Sequence, residues 1–319
     1  MRRRDFIAVL GGAVFAWPLA ARPQQAMPTV GVVVAGTRKT STFPEPFLRS
    51  MKELGWDEDR NYRVLFLGTE GYNDRYPGLV GELVAQRVNV IIVFGNPGIE
   101  AARRATTTIP IVGVADDIVK SGFAVSMAHP GGNTTGVSIL ARELDVKRLE
   151  LLHEAVPAAK RIGVLADPRV TNRSQLDEAA HQLNLELVMV DARTREEVAA
   201  GLDALEAARL DAVNVLSSPA FFNVRGLVIE RLNRARLPAI YEWPEMADEG
   251  GLLGYGARLR RVWPKVARLV AKILRRARPE DLPVEQPEKI DLVVNLRTAR
   301  ALGLTIPPSI LIRADEAIE

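Results

Sequence analysis

Three observations predict an α/β fold of two doubly wound parallel-sheet lobes, each Rossmann-like, joined by a multi-strand hinge. Short β-branched runs alternate strictly with helical stretches from residue 29 to residue 241, the pattern of parallel strands covered by helices. The alternation breaks once, at Pro130-Gly131-Gly132-Asn133, and then restarts. RIGVL at 161–165 also echoes VGVVV at 30–34, as a second lobe built like the first would require.

Residues 29–35 (TVGVVVA) read as a first strand buried on both faces. A polar loop covers 36–43, and a helix opened by Pro44 and Pro46 runs to Leu54, where Gly55 suits its end. Strand 62–67 and helix 76–87 follow, the latter with Leu79, Leu83 and Val84 on one face. Strand 88–94 ends in the loop Gly95-Asn96-Pro97-Gly98, which leads to a helix through Arg104. Strand 109–114 spills into Asp116-Asp117, and the glycines of 131–136 read as a turn into the hinge.

The second series comprises helix 143–156, strand 161–165, helix 174–183, strand 185–190, helix 195–208, strand 212–216, helix 224–235 and strand 239–241. Thr194 and Glu197 have the spacing of a capping box. Gly250-Gly251 and Gly254-Tyr255-Gly256 mark a second crossing between lobes. Helix 263–276 buries Val266, Leu269, Val270 and Ile273, and gathers Lys272, Arg275 and Arg276 at its negative end. An extended linker (279–287) and a strand (289–295) suit a third crossing. The expected organisation is 27–136 plus about 257–287 in lobe 1, and 137–256 plus about 288–319 in lobe 2.

A chain of 319 residues supports two such cores. Its net charge of +3 lies wholly in residues 1–26, which hold four arginines against one aspartate. That segment has a positive start, an apolar stretch over 6–21 and small residues near 20–26, the plan of a cleaved export signal. Arg3-Arg4 before Asp5-Phe6-Ile7 resembles the twin-arginine type. The remainder is neutral and lacks basic stretches interleaved with aromatics, so no nucleic-acid partner is expected. With no cysteine, the chain has no disulfide, thiolate metal site or lipoprotein-type anchor. A soluble, exported, periplasmic protein is expected, and a monomer, since one cleft between two lobes needs no second subunit.

Chemistry is sparse. His129, His153 and His181 stand in no metal-binding spacing, and there is no G-x-S-x-G elbow, phosphate loop or dinucleotide fingerprint. No catalytic residue, metal or cofactor is expected. What remains is the set of loops at the carboxyl ends of the strands, where open α/β sheets bind ligands. Thr37, Thr40, Ser41, Asn96, Ser217 and Ser218 offer neutral polar groups, while Gly95 and Gly98 admit close backbone approach. Asp116, Asp117 and Asp167 suit an amine, although each equally suits a turn or cap. Phe221, Phe222, Tyr241 and Trp243 suit stacking, with one of the adjacent phenylalanines facing the core. Ser217 and Ser218 also suit helix N-caps. Two such sets of loops facing each other make a closable cleft for a small polar solute.

Several segments carry a family resemblance: RRRDFI at the start, ELGW at 53–56, ATTTIPIV at 105–112, HPGGNTTG at 129–136, RLPAIY at 236–241 and EGGLLGYG at 249–256. DLPVEQPEKIDLVVNLRTARALGLTIPPSIL at 281–311 is the longest and most specific. With these, the chain resembles the periplasmic substrate-binding components of ABC-type transporters with the type I two-lobed fold, in the branch that includes tryptophan- and tyrosine-linked binding proteins. The resemblance implies a non-enzymatic protein that captures a small organic solute, amino-acid-like or aromatic ones among the options, and delivers it to an inner-membrane permease. A sensor or enzyme on the same fold is the alternative. It implies ligand contacts at Asn96, Pro97 and Asp117, and more loosely at Ser217, Pro219, Tyr241 and Tyr255. The family usually has Asp-Pro where this chain has Asp117-Ile118, and Gly-Thr-Pro-Ala where it has Gly95-Asn96-Pro97-Gly98.

Overall fold

The computed structural model describes residues 27–34, 36, 41, 43–169 and 171–319. The export-signal reading of 1–26, and Thr37 and Thr40 as ligand contacts, lie outside the described residues. In the first half the elements run β1 (Thr29–Val34), α1 (Pro44–Glu53), β2 (Arg63–Gly68), α2 (Tyr76–Ala85), β3 (Val90–Phe94), α3 (Gly95–Ala105), β4 (Ile111–Ala115) and β5 (Thr134–Ser138). They form a five-stranded, all-parallel sheet in the order β2-β1-β3-β4-β5.

The second half runs α4 (Asp145–Ala155), β6 (Arg161–Ala166), α5 (Arg173–Leu183), β7 (Glu186–Asp191), α6 (Arg195–Ala207), β8 (Ala212–Val215), α7 (Pro219–Asn223), α8 (Arg225–Arg234), β9 (Ala239–Tyr241), α9 (Pro244–Asp248) and β10 (Leu253–Gly256). After α10 (Leu259–Leu274) come β11 (Asp291–Asn295), α11 (Leu296–Leu302), α12 (Pro308–Arg313) and β12 (Glu316–Ile318). Their seven-stranded sheet has the order β12-β11-β10-β9-β8-β6-β7 and one antiparallel pair, β10 with β11.

Each sheet is covered on both faces. Val30, Val32 and Val34 of β1 join one core with α1 and α10, while Val33 points to the opposite core with α2 and α3. The two-residue period of a strand divides a continuous valine run in this way. The echo between 30–34 and 161–165 has a packing cause. A Cβ on Gly31 would meet Leu83 Cδ1 at 2.7 Å, and one on Gly163 would meet Leu205 Cδ2 at 2.7 Å. In both lobes the third residue of the first strand is empty so that a helix leucine can sit on the sheet.

Three differences from the sequence reading have local causes. The stretch read as a turn over 131–136 is a turn only up to Asn133, with Gly131 and Gly132 at φ of +68° and +66°. From Thr134 it is the fully buried edge strand β5, whose outer side is covered by the linker. Ser138 donates its N–H to the Glu285 carbonyl at 2.9 Å, and Glu285 donates to the Gly136 carbonyl at 2.9 Å. Gly254-Tyr255-Gly256 belongs to β10 rather than to a crossing; a Cβ on Gly256 would lie 2.1 Å from the Glu242 carbonyl oxygen. Helix α10 begins at Leu259, ahead of the expected 263, because the Glu245 carboxylate accepts the Leu259 N–H at 2.9 Å and caps it from another element.

The chain passes between the two sheets three times, after β5, after β10 and before β11. Two buried arginines tie these passages together. Arg148 donates to the Ala141 carbonyl at 2.7 Å and the Tyr255 carbonyl at 3.1 Å, and pairs with Asp145. Arg258 pairs with Asp248 and with Glu316 at 2.5 Å, with Asp291 at 3.9 Å. Among the described residues no helix is long and apolar enough to cross a membrane.

Candidate ligand-binding cleft

The carboxyl ends of strands from both sheets open onto one cavity of about 490 Å³, within the range of small-molecule sites. From the first sheet come Ser41, Phe43, Phe94, Gly95, Asn96, Pro97 and Asp116; from the second come Asp167, Ser217, Pro219, Phe222 and Trp243. The lobes touch across it. A Cβ on Gly95 would lie 3.1 Å from Pro219 Cγ, and Tyr72 donates its hydroxyl to Glu196 Oε1 at 2.8 Å. The structure is therefore closed.

The expected Gly95–Gly98 loop is the first turn of α3, which starts directly at the end of β3. Gly95 adopts φ +72°, which permits that abrupt switch. Asn96 donates Nδ2 to Ser121 Oγ at 3.1 Å, which orients its side chain in the cavity wall. Asp116 accepts the Arg142 backbone N–H at 2.7 Å and pairs with its guanidinium, so the first crossing is anchored to the cleft. Asp167, only 2 % exposed, holds Arg169 at 2.9 and 2.6 Å through both carboxylate oxygens.

Four expected contacts lie off the cavity. Asp117 is a turn cap: its Oδ1 accepts the N–H groups of Val119 at 3.0 Å and Lys120 at 2.9 Å. Ser218 caps α7 by accepting the Ala220 N–H at 3.2 Å, and donates to Asp167 at 3.3 Å. Tyr241 is fully buried in the core between the second sheet and α6–α8, where burial pushes its phenol well above the usual range. Tyr255 packs against the opposite core of that sheet, and its carbonyl accepts from Arg148. Phe221 is likewise core, while its neighbour Phe222 faces the cavity.

The sequence reading placed Phe222 and Trp243 in the cleft but missed the aromatic wall of the first lobe. Phe43, Phe94 and Trp263 form a mutually edge-on trio with centroids 5.3–5.5 Å apart, and Phe222 meets Trp243 at 5.6 Å. Trp263 reads as a core position of an amphipathic helix; only the seating of α10 against the first sheet brings it to the cavity. Arg142, Arg169 and Arg225 also line the cleft and were missed. For Arg169 a signal existed, since it lies two residues beyond a strand-end aspartate.

Behind the cleft, Glu242 is 3 % exposed, and burial raises its pKa from 4.5 to about 8, with Arg148 opposing the shift and Asp145 and Asp116 adding to it. Burial also raises Glu245 to about 7. Among the described residues no group of three or more His, Asp or Glu side chains is placed to hold a metal ion.

Two α/β lobes, three passages between them and a cavity at their facing strand ends define a two-lobed solute-binding fold. The chain belongs to the ABC transporter substrate-binding protein family, whose model matches residues 41–318. It is 25% identical over 263 residues to a tyrosine-binding protein of Clostridioides difficile, covering 81% of this chain and 75% of that one. Its fold is similar to a conserved domain protein of Vibrio cholerae (TM-score 0.82, 25% identity), with 91% of this chain and 99% of that one covered. A Streptococcus pneumoniae ABC domain in complex with L-Trp has a TM-score of 0.80 at 22% identity, with the same coverage.

Proposed function

We propose that this substrate-binding protein captures a small organic solute between its lobes by hinge closure, with Gly95, Asn96, Pro97, Asp116, Asp167, Ser217, Pro219, Phe222 and Trp243 in the ligand-binding wall. The observation that carries the reading is that both sheets contribute strand-end residues to a single cavity while Gly95 and Pro219 meet at its seam. The lobes, 27–136 plus about 257–287 and 137–256 plus about 288–319, swing about the three passages, the first of which begins only past the end of β5 at Ser138. The protein acts as an exported, periplasmic monomer, carries no enzymatic activity and hands its cargo to an inner-membrane ABC permease. Family membership supports the permease partner, and the arginine-rich start supports export.

The test is a solute screen by thermal shift on the chain from residue 27 onward, followed by solution scattering. At free ligand about a hundredfold above Kd, the expected stabilisation is about 2.7 kcal/mol, with a smaller radius of gyration and no turnover of the ligand. A panel of amino acids, aromatic acids, amines and polyols that leaves both melting and radius unchanged at millimolar concentration overturns the reading.

A further inference from the structure

We propose that the solute is an aromatic monocarboxylate, its ring held between the aromatic walls of the two lobes and its carboxylate met by Arg169, with no amino group required. This deepens the capture reading above and rests on it.

The two carboxylates of the inner wall are already paired with arginines of this chain. Asp167 accepts the Arg169 backbone N–H at 3.1 Å, its Nε at 2.9 Å, its Nη2 at 2.6 Å and the Ser218 hydroxyl at 3.3 Å. Two carboxylate oxygens offer about four lone-pair sites, so a ligand ammonium finds none free. Asp116 has two of its acceptor sites taken by the Arg142 backbone N–H and guanidinium, and that guanidinium already balances its charge. Asp74 and Glu100, the other lining carboxylates, are exposed to solvent, where an ammonium gains little over water.

Arg169, by contrast, is clamped and unfinished. Asp167 fixes the plane of its guanidinium, and Asp167 itself is held because its carbonyl accepts the Thr171 N–H at 3.0 Å and hydroxyl at 2.9 Å. Arg169 lines the cavity with its side chain 42% exposed, and among the described residues its Nη1 has no hydrogen-bond partner. Glu197, whose charge also reaches Arg169, is taken up by Arg193, accepting its N–H at 2.7 Å. A guanidinium held in one plane loses little freedom on binding a carboxylate. The rest of the cavity calls for a ring: Phe43, Phe94 and Trp263 on one side and Phe222 and Trp243 on the other are suited to offset or edge-on packing.

The test uses the chain from residue 27 onward and five probes: 3-phenylpropionate, its primary amide, phenethylamine, L-phenylalanine and myo-inositol. Affinity is read by calorimetry and closure by scattering. We expect 3-phenylpropionate to bind tightest and to compact the chain, with the amide about tenfold or more weaker. Arg169→Gln should remove that preference, lowering carboxylate affinity about tenfold and the amide's by less, read at a temperature where the variant is fully folded, since the buried Asp167 loses its partner. Arg169→Lys should restore part of it. Tightest binding by phenethylamine, L-phenylalanine or inositol, or an Arg169→Gln variant that binds the carboxylate normally, overturns the ligand class. If the probe that binds tightest is one of those others and it compacts the chain, solute capture stands while the class falls. If no probe binds or compacts it, both fall.

Discussion

Tyr72 of the first lobe donates its hydroxyl to Glu196 of the second at 2.8 Å, a hydrogen bond spanning the two halves of the molecule. This bond holds Glu196 below the usual carboxylate range and raises the Tyr72 phenol. Because Glu196 sits in the first turn of α6, it also complements the positive end of that helix. Tyr72→Phe should therefore shift the free protein toward open forms, visible as a larger radius of gyration, and weaken the apparent affinity of any solute that binds the closed form. The latch is present above the ordinary carboxylate pKa and lost as pH falls through the lowered value, so the radius difference between wild type and variant should vanish in acid. An unchanged radius at neutral pH would remove Tyr72 from the closure mechanism.

Gly95→Ala should act twice. The left-handed φ of +72° costs a non-glycine residue about 1–2 kcal/mol, read as a loss of folding stability. The added methyl would also press on Pro219 Cγ at 3.1 Å and hold the lobes apart. Calorimetry should show weaker solute binding even at temperatures where the variant is fully folded.

Arg148 is completely buried, and Asp145 nearly so. Arg148→Met leaves Asp145 uncompensated and removes a donor from the Tyr255 carbonyl and one of the two that reach the Ala141 carbonyl, which keeps the Leu144 N–H. Such single-partner deletions cost about 3–5 kcal/mol, measurable by urea unfolding. Asp145→Leu on top of Arg148→Met should recover part of the loss, since the remaining buried charge disappears.

Stability should fall as pH rises between about 4.5 and 8. The direction follows from Glu242, whose pKa burial raises from 4.5 in the unfolded chain to about 8 in the folded one. Across that window the folded state binds more protons than the unfolded state, so each added pH unit costs up to about 1.4 kcal/mol. Glu245, raised to about 7, adds to the same trend. Glu242→Gln should flatten the melting temperature profile and stabilise the protein most at pH 8. A wild-type profile that rises over this range would contradict the assignment.

The alternation of strands and helices was legible because burial on both faces forces unbroken β-branched runs such as Thr29–Val34, while helices keep a 3.6-residue period. The cap at Thr194 was legible too: its hydroxyl accepts the Glu197 N–H at 3.2 Å, although the Glu197 carboxylate answers the Arg193 N–H rather than that of Thr194. Edge strand β5 and the start of α10 were not. Both depend on groups distant in sequence, Glu285 for the strand and Glu245 for the helix.

The same division runs through the cleft. Sequence alone determined the two α/β lobes and the strand ends at which Asn96, Asp116, Asp167, Ser217 and Trp243 stand, because those depend on local periodicity and turn chemistry. Only the tertiary structure decided that Asp117 caps a turn, that Tyr241 vanishes into a core, and that Trp263 and Phe43 make a wall. A residue's type and spacing fix which element it joins. The side of that element that meets the facing lobe depends on packing between segments hundreds of residues apart, which no local pattern encodes.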